Sequence, residues 1–343
     1  MKHAVIAVDL AKSVFEVAVS TTAGVVSERK RLGRKKFSQF MAQLQPAVVV
    51  MEACGTSYFW GRRFQELGHK VELLPPQHVR SYVIGNKTDR TDVKGLLEAH
   101  RNEDIHRVPV KSVEQQMIST LHRVRSGWVA DRTARVNVLR GHLREFGYSI
   151  QQGRWHVVPR VRELTGDADS RIPDGLREVL WVLCEEIDGL SEKIRNVELQ
   201  LKALSKQLPE VKQLLSIPGV GLLTSTALFA FVGDVQRFPS GRHLASYLGL
   251  TPRERSSGAK RWLGGISKRG DAYLRTLLIH GARSVLYRAR SKGPKSHLQE
   301  WALRVEHARG RNKATVALAN KLARIVWALL KKGETFQIQP QAA

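Results

Sequence analysis

The sequence predicts an α/β domain at the N-terminus followed by a mostly α-helical remainder. Three observations carry this. Short apolar runs alternate with helical spacing over roughly the first hundred residues, a leucine-rich period of 3.5 runs from Leu176 to Leu208, and a Gly-rich, basic region follows Pro209. At 343 residues the chain is long enough for two separate cores.

Ala4 to Leu10 is apolar enough for a buried strand, and Phe15 to Ser20 and Val25 to Leu32 read as its hairpin partners, with Gly24 supplying a turn. Phe37 to Leu44 has helical spacing and Ala47 to Met51 is a second apolar strand. Tyr58 to Leu67 is a helix stopped by Gly68, and Lys70 to Leu74 is a last strand ended by Pro75-Pro76. With a helix capped by Thr88, the order is βββαβαβα, that of an RNase H-like fold.

From Lys111 to Phe146 a long helix carries Arg123, Arg125, Arg132 and Arg135 between apolar positions such as Val124, Val136 and Leu139. These arginines read either as phosphate contacts or as a solvated basic face. Leu176, Leu180, Leu183, Ile187, Leu190, Ile194, Val197, Leu201, Leu204 and Leu208 follow in steps of four and three, a heptad seam that favours a coiled coil and a second copy of the chain. Packing within one chain is the alternative. The expected domains are 1–108, a helical and coiled-coil region 109–208, a C-terminal domain 209–333 that ends in an amphipathic helix from Ala314 to Leu330, and a disordered tail 334–343.

Lys and Arg outnumber Asp and Glu by 56 to 31, giving a net charge of +25. A polyanionic partner is implied, with nucleic acid ahead of a ribosomal or anionic-membrane association. Between Thr251 and Lys313, 16 basic residues face 4 acidic ones. No run of 18 apolar residues and no secretory leader is apparent, so a cytoplasmic protein is expected and a membrane partner is not. Cys54 and Cys184 are too far apart for a metal motif and read as buried thiols.

Asp9 and Glu52 end two apolar strands, and neighbouring strands would bring them to one sheet edge. Asp89 and Asp92, at i and i+3 behind Thr88, share a helix face that can point at the same edge. Carboxylates so placed need cations between them. Mg²⁺ (or Mn²⁺) prefers oxygen ligands, and two such ions about 4 Å apart suit phosphoryl transfer. Taken singly, each carboxylate could equally cap a turn or be solvated.

Val8-Asp9-Leu10-Ala11-Lys12, Met51-Glu52-Ala53-Cys54-Gly55-Thr56 and Asn86-Lys87-Thr88-Asp89-Arg90-Thr91-Asp92 resemble the DEDD insertion-sequence transposases of the one-hundred-ten family. The C-terminal half agrees, through Ser216-Ile217-Pro218-Gly219-Val220-Gly221, Leu248-Gly249-Leu250-Thr251-Pro252-Arg253, Ser257-Gly258 and the string Leu263 to Asp271, which is similar to the eleven-eleven subgroup. The resemblance implies a RuvC-like domain with a metal-binding tetrad at Asp9, Glu52, Asp89 and Asp92, a coiled coil that assembles protomers into a dimer or tetramer, and a C-terminal serine nucleophile. It also implies donor and target DNA as substrates, chosen by a structured non-coding guide RNA, the bridge RNA.

Ile217 to Gly221 resembles the hairpin of a helix-hairpin-helix motif, where Gly219 and Gly221 would let backbone N–H groups approach a phosphate. A plain helix connection is the alternative. The family's nucleophile maps to Ser257, with Ser256 as its rival. Arg253, Arg255, Lys260, Arg261, Lys268 and Arg269 are candidates for holding phosphates around it. A hydrolytic nuclease resembling a Holliday-junction resolvase, with water as nucleophile, is the competing function, and a non-enzymatic nucleic-acid-binding protein is a third.

Overall fold

In the computed structural model, residues 4–22, 25–84, 86 and 88–337 are described. Gly24 lies outside them, as do Lys87 and the tail from 338. The chain divides into two compact units, Met1–Glu114 and Gln115–Ala343.

The first unit runs β1 (Val5–Asp9), β2 (Val14–Ser20), β3 (Glu28–Gly33), α1 (Arg34–Gln43), β4 (Val48–Glu52), α2 (Ser57–Glu66), β5 (Lys70–Leu74), α3 (Pro76–Val79) and α4 (Asp89–Arg101). Its five-stranded sheet has the order β3-β2-β1-β4-β5. The pairs β3-β2 and β2-β1 are antiparallel, and β1-β4 and β4-β5 are parallel. Strand alternation sorts the side chains onto two faces. Ile6, Val8, Phe15, Val17, Val49 and Met51 pack under α1 and α2 against Phe37, Met41, Trp60 and Phe64. On this face Phe15 and Phe37 stack at 4.4 Å, with Trp60 edge-on to both. Ala7, Ala18, Val50 and Leu74 meet Val93, Leu96 and Leu97 of α4 on the other face. Bulky rings on one side and alanines on the other let α4 lie close to the central strands. Coverage on both faces is also why β1 and β4 read as unbroken apolar runs.

Both ends of α4 are held. At its start the Thr88 hydroxyl accepts the Thr91 N–H while the Thr91 hydroxyl accepts that of Thr88, a reciprocal cap. Near its other end Glu72 of β5 takes Lys70 at 2.8 Å, His100 at 3.0 Å and Arg107 at 2.9 Å. The hydrogen bond from His100 leads the causes that hold the Glu72 carboxyl far below the usual carboxylate range, against the opposing effect of burial.

The second unit contains α5 (Val113–Glu145, starting at the boundary), α6 (Val157–Gly166), α7 (Asp174–Ser205), α8 (Pro209–Leu215), α9 (Leu222–Val232), α10 (Gly241–Tyr247), β6 (Pro252–Glu254), β7 (Leu263–Ile266), α11 (Ala272–Lys292), α12 (His297–Arg309) and α13 (Arg311–Lys332). Pairing of Arg125 with Glu198, Arg132 with Ser191 and Arg135 with Glu186 sets α5 antiparallel beside α7. Most of the heptad seam is packed from within the chain, with Leu176 at its start exposed. Leu180 and Ile187 pack with Val136, Leu139 and Leu143 of α5 and Val157 and Val161 of α6, while Val197 and Leu201 pack with Ile118 and Ala230. The seam therefore does not itself call for a second chain, because α5, α6 and α9 supply the apolar surface it needs. The same packing puts α7 and the C-terminal helices in one unit.

His122 of α5 is buried between the Tyr273 hydroxyl of α11 at 2.9 Å and the Thr226 hydroxyl of α9 at 3.0 Å. Burial, helped by nearby Arg125, lowers its pKa to about 4 and keeps it neutral. Of the terminal segment expected to be disordered, the first residues are tied down: the Phe336 N–H donates to Ser216 Oγ at 2.8 Å, and its ring packs on the core.

Candidate active site

The strand register builds a transverse row across the α4 face of the sheet. Asp9 of β1 lies opposite Glu16 of β2, and Glu16 opposite Arg31 of β3. On the other side Val8 pairs with Met51, so one step further along these parallel strands Asp9 comes beside Glu52. Asp9 and Glu52 have the parity of Ala7 and Val50, which face α4. On α4, Asp89 and Asp92 fall on the same stripe as the buried Val93, Leu96 and Ala99. The first turn of the capped helix thus stands over the row. Asp9, Glu52 and Asp92 are partly buried, whereas Asp89 is exposed and reaches toward Arg31 at 3.9 Å.

Among the described residues no three His, Cys, Asp or Glu side chains already stand in a metal-binding arrangement. What brings the carboxylates together is the backbone: neighbouring strand ends and one helix turn on one face. A donor set made only of carboxylate oxygens fits a hard divalent cation. Glu16 was not singled out from the sequence, although it is only 8% exposed and sits beside Asp9 in the row. The alternation of Phe15 and Val17 with Glu16 and Ala18 was the available signal, since it puts Glu16 on the α4 face.

Ser257 lies in the connection of the β6-β7 hairpin. Its N–H donates to the Lys260 carbonyl at 3.3 Å, and the Lys260 N–H returns the bond at 3.2 Å, closing a tight turn over Gly258, whose φ is +57°. Both serines are exposed, but their hydroxyls differ. Ser256 Oγ donates to Glu254 Oε1 at 2.7 Å and accepts the Trp262 N–H at 3.2 Å, so it braces the hairpin. Among the described residues the Ser257 hydroxyl has no hydrogen-bond partner. The hydrogen bond from Ser256, followed by Arg261, lowers the Glu254 pKa and makes that carboxylate a weak base.

The base of the hairpin is held by two glycines in the left-handed region. A Cβ on Gly249 would stand 2.0 Å from the Arg269 carbonyl oxygen, and one on Gly270 would stand 1.9 Å from that of Tyr247. Arg255, Lys260, Lys268 and Arg269 are exposed around this hairpin, while Arg253 reaches the Ser267 carbonyl and Arg261 pairs with Glu254.

Other candidates divide. Arg125, Arg132 and Arg135 bind α7, and only Arg123 of that set is exposed without a partner among the described residues. Gly219 serves packing, since a Cβ there would lie 2.8 Å from the Gly281 carbonyl oxygen of α11. Gly221 caps α9, and the space where its Cβ would stand is open.

A carboxylate row beneath a capped helix and an exposed serine on a basic hairpin are groups that phosphoryl-transfer chemistry can use. Residues 6–147 match the profile of DEDD transposases of the IS110 group, described as "Transposase", and residues 211–298 match "Transposase IS116/IS110/IS902 family". The chain belongs to this family of insertion-sequence transposases, enzymes that cut and rejoin DNA. It is 40% identical to the probable family 20 transposase of Pseudomonas aeruginosa, over 95% of this chain and 96% of that one. It is 39% identical to the transposase for insertion sequence element IS1111A of Coxiella burnetii, over 97% of this chain and 91% of that one. Similarity to the IS1328 transposase of Yersinia enterocolitica is 36% identity, over 96% and 98%. Membership in a DEDD transposase family carries an expectation of divalent-metal dependence. No helix among the described residues is long and apolar enough to cross a membrane.

Proposed function

We propose that this transposase cuts and rejoins DNA through Ser257, with Asp9, Glu52, Asp89 and Asp92 of an RNase H-like, RuvC-like domain holding Mg²⁺ or Mn²⁺. The observation that carries the nucleophile assignment is the contrast between the two serines: the hydroxyl of Ser256 is spent on the hairpin, whereas that of Ser257 is exposed and uncommitted. In the reaction Ser257 Oγ loses its proton and bonds to phosphorus, while the displaced deoxyribose oxygen takes up a proton. Attack by a second DNA hydroxyl then frees the serine and rejoins the strand, so the phosphodiester energy is kept. A divalent ion held by the four carboxylates would supply neutralisation of the charge that develops on the phosphate. Arg255, Lys260, Lys268 and Arg269 are free to contact phosphates.

The reading includes a structured guide RNA that selects both DNAs, and assembly of two or four protomers. The net charge of +25 supports the RNA. With the heptad seam occupied, self-association falls to the outward face of α7, where Val179, Val182 and Leu199 are exposed.

The test is to incubate labelled DNA and cognate RNA with each variant, denature with detergent and look for label migrating with protein. Ser257→Ala is expected to lose cleavage by about 10⁴-fold or more together with the adduct, whereas Ser256→Ala keeps part of both. An adduct in Ser257→Ala but not in Ser256→Ala would move the nucleophile one residue back. Efficient cutting without adduct in any variant would establish the hydrolytic alternative.

A further inference from the structure

Between the β6-β7 hairpin and α13 lies a cavity of about 1580 Å³, within the second unit. Its helical wall is one face of α13, carrying Lys313, Val316, Asn320, Lys321 and Arg324. Leu263, Gly264, Gly265 and Ile266 of the hairpin line the cavity too, and the Asn320 side-chain amide ties the two sides by donating to the Leu250 carbonyl at 3.1 Å. Arg242 lines the cavity as well.

Two properties of this groove need a ligand to explain them. First, α13 contains no acidic residue, and among the described residues none of Arg242, Lys313, Lys321 and Arg324 has an acidic partner. Partial burial, then Arg324 and Arg304, lower the pKa of Lys321, so these cations are held against their own repulsion. The contrast with α5 is direct, where Arg125 and Arg135 are matched by Glu198 and Glu186. Second, the surface between the cations is apolar and aromatic: Ile266, Val316 and Ile325 line it, and Lys321 Nζ lies 4.2 Å from the centre of the Trp301 ring.

We infer that this groove binds a single strand of DNA, its phosphates on Arg242, Lys313, Lys321 and Arg324 and its unstacked bases on the apolar floor beside Trp301. A duplex would present phosphates but hide its base faces, leaving that floor unused, whereas cations alternating with apolar surface are what a single strand engages. The inference deepens the proposed function by giving the substrate strand a place beside the hairpin that bears Ser257.

The experiment measures anisotropy of a fluorescein-labelled 20-nucleotide oligo-dT with the full-length protein, against oligo-U and a duplex of equal length. Lys321→Glu with Arg324→Glu is expected to weaken oligo-dT binding about 30-fold or more, while the equal charge change Lys193→Glu with Arg195→Glu on α7 changes it less than about threefold. Lys321→Gln with Arg324→Gln, a milder pair that guards against misfolding, should lower the slope of log K on log salt by about 1.4, two phosphates at about 0.7 each. A 4-thiothymidine oligonucleotide should crosslink to peptides from 240–266 or 301–328. Equal losses in both charge-reversal pairs, or crosslinks only elsewhere, would overturn the site. So would a groove dependence seen with oligo-U or duplex but not oligo-dT, or loss of self-association with oligo-dT affinity intact. Adduct formation is not read in this assay, so failure of the serine assignment and failure of the groove are distinguishable.

Discussion

In the N-terminal unit the carboxylates sit at the ends of strands buried on both faces and on the first turn of a helix held at both ends. In the C-terminal unit Ser257 stands on an exposed two-stranded hairpin fastened at its base by Gly249, Gly270, Arg275 and Asn320. On the proposed function, the difference follows from what each group must do. Ligands of a hard cation have to be placed by rigid elements, whereas a nucleophile that attacks a bound strand can take its final position from that strand. The same contrast separates the cations: Arg125, Arg132 and Arg135 of α5 are spent on α7, whereas Arg255, Lys260, Lys268 and Arg269 around the hairpin and Lys313, Lys321 and Arg324 of α13 are open to a ligand.

After the loss expected of Ser257→Ala, the largest break falls on the rigid side. Asp92→Asn or Asp9→Asn should lower strand cleavage by about 10³-fold while DNA binding stays largely intact, because these side chains act on charge in the transition state. Excess EDTA should do the same to the unmodified enzyme. Full cleavage in EDTA by either variant would remove the metal from the mechanism.

Next in size is the seam. With Leu201 fully buried against Ile118 and Val197, Leu201→Glu should cost about 4 kcal/mol of stability by burying an unpaired charge. Dissociation of an oligomer with unchanged melting would instead show that the seam joins two chains.

A third test separates the units by pH. His122 is folded with its pKa lowered from 6.5 to about 4, so the unfolded chain binds the extra proton between those values. Its contribution is complete above about 6.5 and lost as pH falls toward 4, by about 3 kcal/mol in all. For Glu72 the lowered carboxyl gives stability that is present above its ordinary value of 4.5 and lost only below it. Hydrogen exchange at pH 5.5 against pH 7.5 should therefore show α9 and α11 loosening while β4 and β5 do not. His122→Asn should abolish the difference, and equal loosening of both units would refute the assignment.

The smallest effect concerns the added carboxylate of the row. Glu16→Gln should reduce cleavage about tenfold to a hundredfold and raise the Mn²⁺ concentration needed, through weaker binding seen by calorimetry. Unchanged Mn²⁺ affinity would make Glu16 a structural residue of β2.

Periodicity alone determined much of this protein. Apolar runs and their bounding turn residues located all five strands of the first sheet, the Thr88 cap located the helix carrying Asp89 and Asp92, and strand-end position singled out Asp9 and Glu52 as candidates. These signals are local, because strand pleat and helix pitch repeat within a few residues. Ser257 was reached only through family resemblance, since a serine before glycine in a turn has no local mark of chemistry. Tertiary structure decided the rest. Cross-strand register put Glu16 and Arg31 in line with Asp9, and antiparallel packing turned the heptad seam and three arginines of α5 inward onto their own chain. It also left Lys313, Lys321 and Arg324 of α13 without acidic partners among the described residues. Each depends on which distant segment lies opposite a residue, and a linear pattern records a residue's own face but not its partner.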